Sequence, residues 1–292
     1  MKQLSLKRKR SIIGYSFIFP WIIGFLLFTL IPFVYSLFLS FQQVKITPSG
    51  IVTTNVKWEN YIYAFRTDLE FMQVLLKFLR ELVISTPIII VFALIIALLL
   101  NQPIRLRTIF RMVFFLPVII ASGPVIMDLM DQGVTSIPAI EEYALFSAVI
   151  TNTEGGLQSV LTYLMDNLVI ILWYSGVQIL IFLAGLQKMD QQVYEAAKID
   201  GASNWECFWK VTLPALVPMI VVNLIYTIVT YSIFALNPVV EHIQNHMFEV
   251  STGFGYASAL SWIYFVVITL VLLIGAGLMM IQGRKTAARG GV

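Results

Sequence analysis

Long apolar runs separated by short polar segments dominate the chain. Six of them lie near residues 12–41, 80–101, 109–130, 167–186, 215–238 and 257–282. Each is long enough for a helix to cross the hydrocarbon core of a bilayer, which takes about 20 residues. Charged residues are absent from the middle of each run, and the exceptions lie near the ends, where charge costs little: Arg80, Glu81, Arg111 and Asp128. The pattern predicts an all-α bundle of six transmembrane helices.

The first apolar run follows a basic segment, Lys7 to Arg10, as the apolar region of a secretory signal peptide would. It is too long for such a region and lacks an Ala-x-Ala cleavage site. We therefore interpret residues 1–11 as a cytoplasmic basic N-terminus and residues 12–292 as a single transmembrane domain.

Basic residues predict the orientation of the bundle. With the N-terminus inside the cell, 14 of the 19 Lys and Arg residues fall in cytoplasmic segments, and the later external loops, 131–166 and 239–256, carry none. Membrane proteins typically concentrate Lys and Arg on the cytoplasmic side. Both termini are therefore expected in the cytoplasm of a cell whose plasma membrane holds the chain.

Composition agrees with lipid as the solvent and excludes other classes. Hydrophobic residues make up 59% of the 292 residues and charged residues 12%, too few to cover a soluble globule. A net charge of +3, with basic residues at membrane edges, argues against nucleic-acid binding. Cys207 is the only cysteine, so no intrachain disulfide or thiolate metal cluster is expected.

The cytoplasmic segment between the fourth and fifth spans, residues 187–214, carries the most specific local pattern. A short helix is predicted from about Gln191 to Ile199, followed by Asp200 and Gly201. Glycine takes the left-handed conformation that ends a helix without steric cost. The first short helix is therefore expected to end in a sharp turn of the chain.

A second short helix is predicted directly after this turn. Ser203 with Glu206 three residues later is the pattern of a capping box at a helix start. Pro214 follows where the fifth span is expected to begin, a position that requires no backbone N–H. This helix presents the aromatic residues Trp205, Phe208 and Trp209. The two helices predict an L-shaped amphipathic element at the cytoplasmic face.

This segment resembles the EAA signature of permease subunits of ABC importers. The matching residues are Glu195, Ala196, Ala197, Asp200, Gly201, Ala202, Leu213 and Pro214. In that family the loop forms a coupling helix seated in a groove of the ATP-binding subunit. The resemblance implies that Glu195 makes polar contacts with that subunit. It also implies that Ala196 and Ala197 permit close seating and that Gly201 is the elbow.

Other segments are similar to the carbohydrate-uptake branch of this family, the maltose and multiple-sugar type. They are Phe19-Pro20, Ile31-Pro32, Tyr35-Ser36-Leu37 and Ser40-Phe41 in the first span, Arg111 to Pro117 in the third, and Gly255 to Leu260 near the sixth. Two departures stand out. Arg80-Glu81 replaces a frequent Asn-Thr, and the segment Glu241 to His246 replaces the usual Thr-x-Gly-Gly-Pro loop, which leaves receptor docking and the sugar's identity open.

The resemblance implies a type I importer permease that translocates a carbohydrate, an oligosaccharide more than a monosaccharide, delivered by an extracytoplasmic solute-binding protein. The implied partners are a second homologous permease, in a heterodimer, and two ATP-binding subunits that use ATP and Mg. No cofactor is expected on this chain. An ion-coupled secondary carrier is the alternative, although the spans lack the charged midplane relay that ion coupling requires. A membrane scaffold would leave the docking loop unused.

Motifs for chemistry within the chain are weak. Gly277 and the segment Gly283 to Thr286 have the wrong spacing for a phosphate-binding loop. With two histidines and no Gly-x-Ser-x-Gly elbow, no enzyme activity is expected. His242 and His246, four residues apart, could face one metal ion, but their order differs from His-Glu-x-x-His. We therefore expect them to be structural and predict no metal site.

Neutral polar and aromatic residues within the spans are the candidates for substrate contact, because rings stack on sugars and amides bond their hydroxyls. They are Trp173, Tyr174 and Gln178 in the fourth span, Asn223, Tyr226 and Tyr231 in the fifth, and Trp262 and Tyr264 in the sixth. Aromatic residues also pack between helices or anchor at membrane interfaces. The sequence leaves both interpretations open.

Overall fold

The computed structural model describes residues 6–47, 50–102, 109, 112–114, 168–234, 237–249 and 252–289. Most of these residues are helical. In chain order the elements are α1 (Leu6–Phe25), a π-helical turn (Leu26–Leu30), α2 (Ile31–Ser40), β1 (Gln42–Thr47), β2 (Gly50–Asn55), α3 (Glu59–Arg66), α4 (Leu69–Asn101), α5 (Leu168–Gln187), α6 (Gln191–Ile199), α7 (Asn204–Cys207), a second π-helical turn (Phe208–Thr212), α8 (Leu213–Ser232), α9 (Pro238–Phe248) and α10 (Gly253–Arg289).

Five helical segments of the described residues are long and apolar enough to cross a membrane. They are Ile13–Ser40, Leu69–Asn101, Ile170–Gln187, Asn204–Ser232 and Gly253–Ile281. Each overlaps one of the predicted spans. The predicted third span, 109–130, and the external loop 131–166 lie almost entirely outside the described residues.

Two helix ends differ from the prediction. Helix α4 begins at Leu69 instead of near residue 80, because the Asp68 carboxylate accepts a hydrogen bond from the Phe71 backbone N–H at 2.8 Å and caps an earlier start. Helix α8 ends at Ser232 instead of residue 238. There Asn237 Nδ2 donates a 2.7 Å hydrogen bond to the Ser232 carbonyl and turns the chain away. Polar side chains next to the apolar runs decide both ends.

Two elements differ from the prediction: a β-hairpin, which corrects the all-α fold class, and a helix where a loop was expected. Strands β1 and β2 form an antiparallel hairpin in which Gln42 pairs with Asn55 and Thr47 with Gly50. Helix α9 occupies part of the segment 239–256, which was expected to be a loop. Both elements are short and contain polar residues, so a search for long apolar runs does not detect them.

Each of the two π-helical turns is followed by a proline at the start of the next helix, Pro32 or Pro214. Proline has no N–H, and its ring crowds the carbonyl four residues earlier. A widened turn relieves this conflict, and in the second turn the Leu213 N–H accordingly donates to the Phe208 carbonyl, five residues back. Helix α8 thus begins with Pro214 in its first turn, as predicted, and the chain is continuously helical over Asn204–Ser232.

The chain divides into two compact units, and the first comprises Met1–Leu75 with Val239–Val266. In this unit the start of α10 approaches the hairpin closely. A side chain on Gly255 would overlap the Gln42 backbone carbonyl, and a Cβ on Gly253, which has a φ of +66°, would lie 2.6 Å from the Val44 carbonyl oxygen. Only glycine permits this approach.

The second unit comprises Leu76–Pro238 with Val267–Val292. Its core forms where α5 packs along α8, with buried residues from α4 beside them: Ile90, Ala93, Leu94, Ala97, Leu100, Ile179, Phe182, Leu183, Leu186 and Leu216. A Cβ on Gly185 would lie 2.7 Å from Met219 Cγ, so this glycine sets the closeness of the α5–α8 crossing. The segment between the end of α5 and the start of α8 contains the two short helices α6 and α7.

Candidate functional site

The coupling segment, residues 190–212, begins with α6. The Asp190 side chain caps this helix by accepting a 2.9 Å hydrogen bond from the Gln192 N–H. At its end Gly201 has a φ of +82°, and the Ala202 N–H donates to the Ala197 carbonyl at 2.9 Å. This 6→1 bond around a left-handed glycine is a Schellman motif. The predicted glycine turn is confirmed.

The second half of the coupling segment begins at the predicted capping box, which is also confirmed. The Glu206 N–H donates to Ser203 Oγ at 3.3 Å, and the Ser203 N–H donates to Glu206 Oε2 at 2.9 Å. Lys210 forms an exposed ion pair with Glu206 at 3.3 Å, one turn further on. Reciprocal capping satisfies two backbone donors that the helix start would otherwise leave unbonded.

A hydrogen bond that sequence reasoning missed ties the two halves together. The Tyr194 hydroxyl on α6 lies 2.8 Å from Thr212 Oγ1 in the second π-helical turn. Thr212 Oγ1 in turn donates to the Cys207 carbonyl at 3.3 Å. The two partners are 18 residues apart, and neither belongs to the recognised motif. The contact fixes α6 to the base of α8.

The outer surface of the coupling segment exposes large apolar side chains. Ile199 is 86% exposed and Trp205 69%. Glu195 is also exposed and makes no hydrogen bond or ion pair with the described residues. Behind this surface a cavity of about 550 Å³ is lined by Asn101, Tyr194 and other residues of the segment and its neighbours. Apolar groups rimmed by polar ones are typical of protein-binding surfaces.

Two of the predicted substrate residues, Gln178 on α5 and Asn223 on α8, meet in the second unit. Both are fully buried. Gln178 Nε2 donates to Thr227 Oγ1 at 2.9 Å, and Asn223 Nδ2 donates to the Gln178 carbonyl at 3.4 Å. The side-chain oxygens of Gln178 and Asn223 have no hydrogen-bond partner among the described residues. Unbonded buried acceptors are uncommon and costly.

Other candidates from the same unit fall into a second group. Tyr174 is buried and its ring lies 5.0 Å from that of Tyr231 and 5.1 Å from that of Phe234. Trp173 and Tyr226 do not belong to this cluster of rings. Trp173 is half-buried and Tyr226 is 36% exposed. Substrate contact by these four residues stays a prediction.

The two candidates on α10 lie in the first unit. Trp262 Nε1 donates to Ser36 Oγ at 3.2 Å, and its ring packs 4.6 Å from Phe33 and 5.5 Å from Phe265. Tyr264 is half-buried. Trp262 therefore joins α10 to α2, whatever further role it has.

A cluster of ionisable side chains in the first unit was not anticipated as a group. Asp68 Oδ2 accepts a 2.6 Å hydrogen bond from the Tyr256 hydroxyl and lies 3.0 Å from His242 Nε2. Burial raises the pKa of Asp68, but hydrogen bonds from Tyr256, the Phe71 N–H and His242 together leave that pKa below its usual value. Sequence reasoning named the histidines but had no signal for Asp68, 174 positions before His242.

Five helices long and apolar enough to cross a membrane define the class: a multi-pass membrane protein, with the coupling segment exposed at one end of α8. Residues 70–287 match the family described as the binding-protein-dependent transport system inner membrane component, and the chain belongs to that family. It is thus a multi-pass inner-membrane transport component and not an enzyme.

Individual relatives agree with this membership. The chain is 32% identical to the probable ABC transporter permease protein YesP of Bacillus subtilis, over 94% of this chain and 92% of that protein. It is 29% identical to the lactose transport system permease protein LacF of Rhizobium radiobacter, over 89% and 91%. A solved bacterial alginate ABC transporter in complex with its alginate pentasaccharide-bound periplasmic protein has the same fold, with a TM-score of 0.65 and 18% identity over 95% of this chain and 97% of that one.

Proposed function

We propose that this chain is the membrane-spanning permease subunit of an ATP-driven importer and that its cargo is an oligosaccharide. The coupling segment is the observation that carries the proposal. Its two capped helices, joined at Gly201, expose apolar side chains and the Glu195 carboxylate, which has no bond to the described residues, in a chain of a binding-protein-dependent transport family. Such a surface suits a groove of an ATP-binding subunit, with Ala196 and Ala197 permitting close contact.

The proposed complex contains a second homologous permease, two ATP-binding subunits that use ATP and Mg, and an extracytoplasmic solute-binding protein. Lys188, Lys198 and Lys210 in and beside the coupling segment support a cytoplasmic location for it. Both termini then lie in the cytoplasm. The apolar length of residues 109–130 supports a third span there, which would complete a single transmembrane domain of six helices.

The contacts of the coupling segment suggest how a movement of the ATP-binding subunits reaches the membrane. Force applied to α6 acts on the π-helical turn through the bond between Tyr194 and Thr212. Because the chain is continuously helical over Asn204–Ser232, displacement of that turn tilts α8 against α5. The segment acts as a lever on one helix pair.

This α5–α8 pair also offers a place for the cargo. Gln178 and Asn223 are buried at the helix crossing, and each has a side-chain oxygen unbonded among the described residues. Separation of the helices would expose both oxygens as acceptors for sugar hydroxyls. The lactose relative supports a carbohydrate, and lactose is a disaccharide. The aromatic candidates Tyr174 and Tyr231 lie in the same unit.

The test is ATP hydrolysis by the reconstituted complex, stimulated by its binding protein across a panel of sugars. Gly201→Val is expected to lower the stimulated rate roughly tenfold, because a branched residue in the left-handed conformation costs about 1–2 kcal/mol. Gly201→Asn is the matched control and should retain most of the stimulation, since Asn tolerates that conformation. Both variants must insert in the membrane as the parent does.

Two outcomes would contradict the proposal. One is full stimulation in both Gly201 variants and in Glu195→Ala. The other is uptake by the isolated chain in vesicles that hold a proton or sodium gradient and no ATP, which would favour the ion-coupled carrier.

A further inference from the structure

Three metal-ligating side chains converge in the first unit. Asp68 precedes α4, and His242 and His246 lie one turn apart on α9. One ligand atom of each lies within 4.8 Å of the other two. Asp68 Oδ2 is 3.0 Å from His242 Nε2 and 3.6 Å from His246 Nε2. The side chains are 6%, 9% and 20% exposed, so the ligand atoms are largely withdrawn from water.

The contacts of His246 Nδ1 leave Nε2 facing this cluster. Nδ1 lies 2.7 Å from Glu249 Oε2 and 3.2 Å from Thr252 Oγ1, so a proton on Nδ1 has an acceptor there. In the neutral ring Nε2 then carries the lone pair that faces Asp68 Oδ2. Two acceptors that face each other repel unless a proton or a metal ion lies between them. A metal ion among Asp68, His242 and His246 would use both lone pairs and would replace the hydrogen bond between His242 Nε2 and Asp68.

Hydrogen bonds around the cluster hold these ligands in place. Tyr256 donates to Asp68 Oδ2 at 2.6 Å, and the Phe71 N–H donates to Asp68 Oδ1 at 2.8 Å. Glu249 fixes the ring orientation of His246. A carboxylate behind a ligating histidine, with a further donor on the ligating carboxylate, is the supporting arrangement that metal sites in proteins use.

We propose that Asp68, His242 and His246 form a binding site for a divalent transition metal, with Zn²⁺ as the preferred ion. Zinc bonds to imidazole and carboxylate are about 2.0–2.2 Å long, so neighbouring ligand atoms in a tetrahedron are about 3.4 Å apart. The observed 3.0 and 3.6 Å lie on either side of that value. Two imidazoles favour Zn²⁺ over Mg²⁺ and Ca²⁺, which prefer oxygen ligands. The fourth position is left for water.

A metal ion at this site would join parts of the chain that are far apart in sequence. His242 and Asp68 are separated by 174 positions. In the proposed orientation both lie on the extracytoplasmic side, and His242 belongs to the segment that departs from the usual family loop. The ion would cross-link α9 to the start of α4 and thereby stabilise the first unit.

The test uses the purified full-length chain without a histidine tag, with Cys207→Ser as background to remove the only thiol. After treatment with a chelator, Zn²⁺ is titrated calorimetrically and Co²⁺ is followed by its visible absorption, which reports tetrahedral coordination. One equivalent of each should bind in the presence of excess Mg²⁺. His246→Gln should lower the affinity at least tenfold, and Glu249→Gln by about 10–100-fold.

Gln244→Ala, on the exposed side of the same helix, is the matched control and should bind as the parent does. Size-exclusion elution and the unfolding temperature without metal show that each variant is folded. Zn²⁺ should raise the unfolding temperature of the parent and the control but not of His246→Gln. Absence of stoichiometric binding by the parent, or equal binding by His246→Gln, would overturn the site. The ATPase is not involved, so the result is independent of the proposed transport function.

Discussion

The coupling segment and the cluster around Asp68 use the same residue types in opposite surroundings. Asp190 and Asp68 each cap a helix by accepting a backbone N–H, at 2.9 and 2.8 Å. Asp190 is exposed, whereas the Asp68 side chain is 6% exposed and is also bonded by Tyr256 and His242. An exposed cap acts on its own helix alone. A buried one joins distant segments, so its loss affects all of them.

The glycines of the two regions also differ in whether they contact a distant segment. Replacing one glycine in each region should give the largest difference in the free energy of unfolding. A Cβ on Gly255 would overlap the Gln42 backbone carbonyl, which cannot move without the hairpin. Gly255→Ala is expected to lower the free energy of unfolding by about 3 kcal/mol, the upper part of the usual range for overpacking. Thermal unfolding of the detergent-purified chain, followed by size-exclusion chromatography, measures this loss.

Gly201→Ala is the counterpart in the coupling segment. Its Cβ would meet nothing within 4 Å, so only the left-handed backbone opposes it, at about 1 kcal/mol. Gly277→Ala on α10 also has open space and is expected to be neutral or stabilising by about 0.5–1 kcal/mol. If Gly255→Ala unfolds at the same temperature as Gly277→Ala, α10 does not approach the hairpin as closely as described.

The two capping aspartates give the next largest contrast. Asp68→Asn keeps one side-chain oxygen, which can still cap α4. The second oxygen, which accepts from Tyr256, becomes an NH₂ group that cannot accept that hydrogen bond. With a buried donor left unbonded, the expected loss is about 2 kcal/mol in the free energy of unfolding. Asp190→Asn should change it by less than about 0.5 kcal/mol, because Asn caps as well as Asp. Equal losses of unfolding free energy in the two variants would show that Asp68 stabilises the chain no more than an exposed capping residue does.

What the sequence could predict follows from this contrast between local and distant partners. Gly201, Ser203 and Glu206 act within five residues of each other, so their spacing alone predicted the turn and the capping box. Apolar length likewise predicted the spans. Asp68 has partners beyond position 240, and no local pattern marks such a pairing. The hairpin was not predicted for a related reason, since its strands are too short and too polar to appear as apolar runs.

Tyr194 lies between these two cases, because its partner is near in sequence but belongs to another element. Tyr194→Phe removes the bond to Thr212 and keeps the ring, so the stability loss should be about 1 kcal/mol. If α6 moves α8 through this bond, sugar-stimulated ATP hydrolysis by the complex should fall several-fold while unstimulated hydrolysis is unchanged. Tyr15→Phe, on the exposed face of α1, is the control.

A purely structural role for Tyr194 would lower the unfolding temperature without separating the two ATPase rates. The ratio of stimulated to unstimulated hydrolysis therefore distinguishes a transmitted movement from simple support of the helix. Thr212→Val makes the same distinction from the other side of the bond, because it keeps the branched shape and removes the hydroxyl. If the two single variants and the double variant reduce the ratio equally, the hydroxyl pair acts as one unit. Additive losses would mean that the lever from α6 to α8 passes through other contacts.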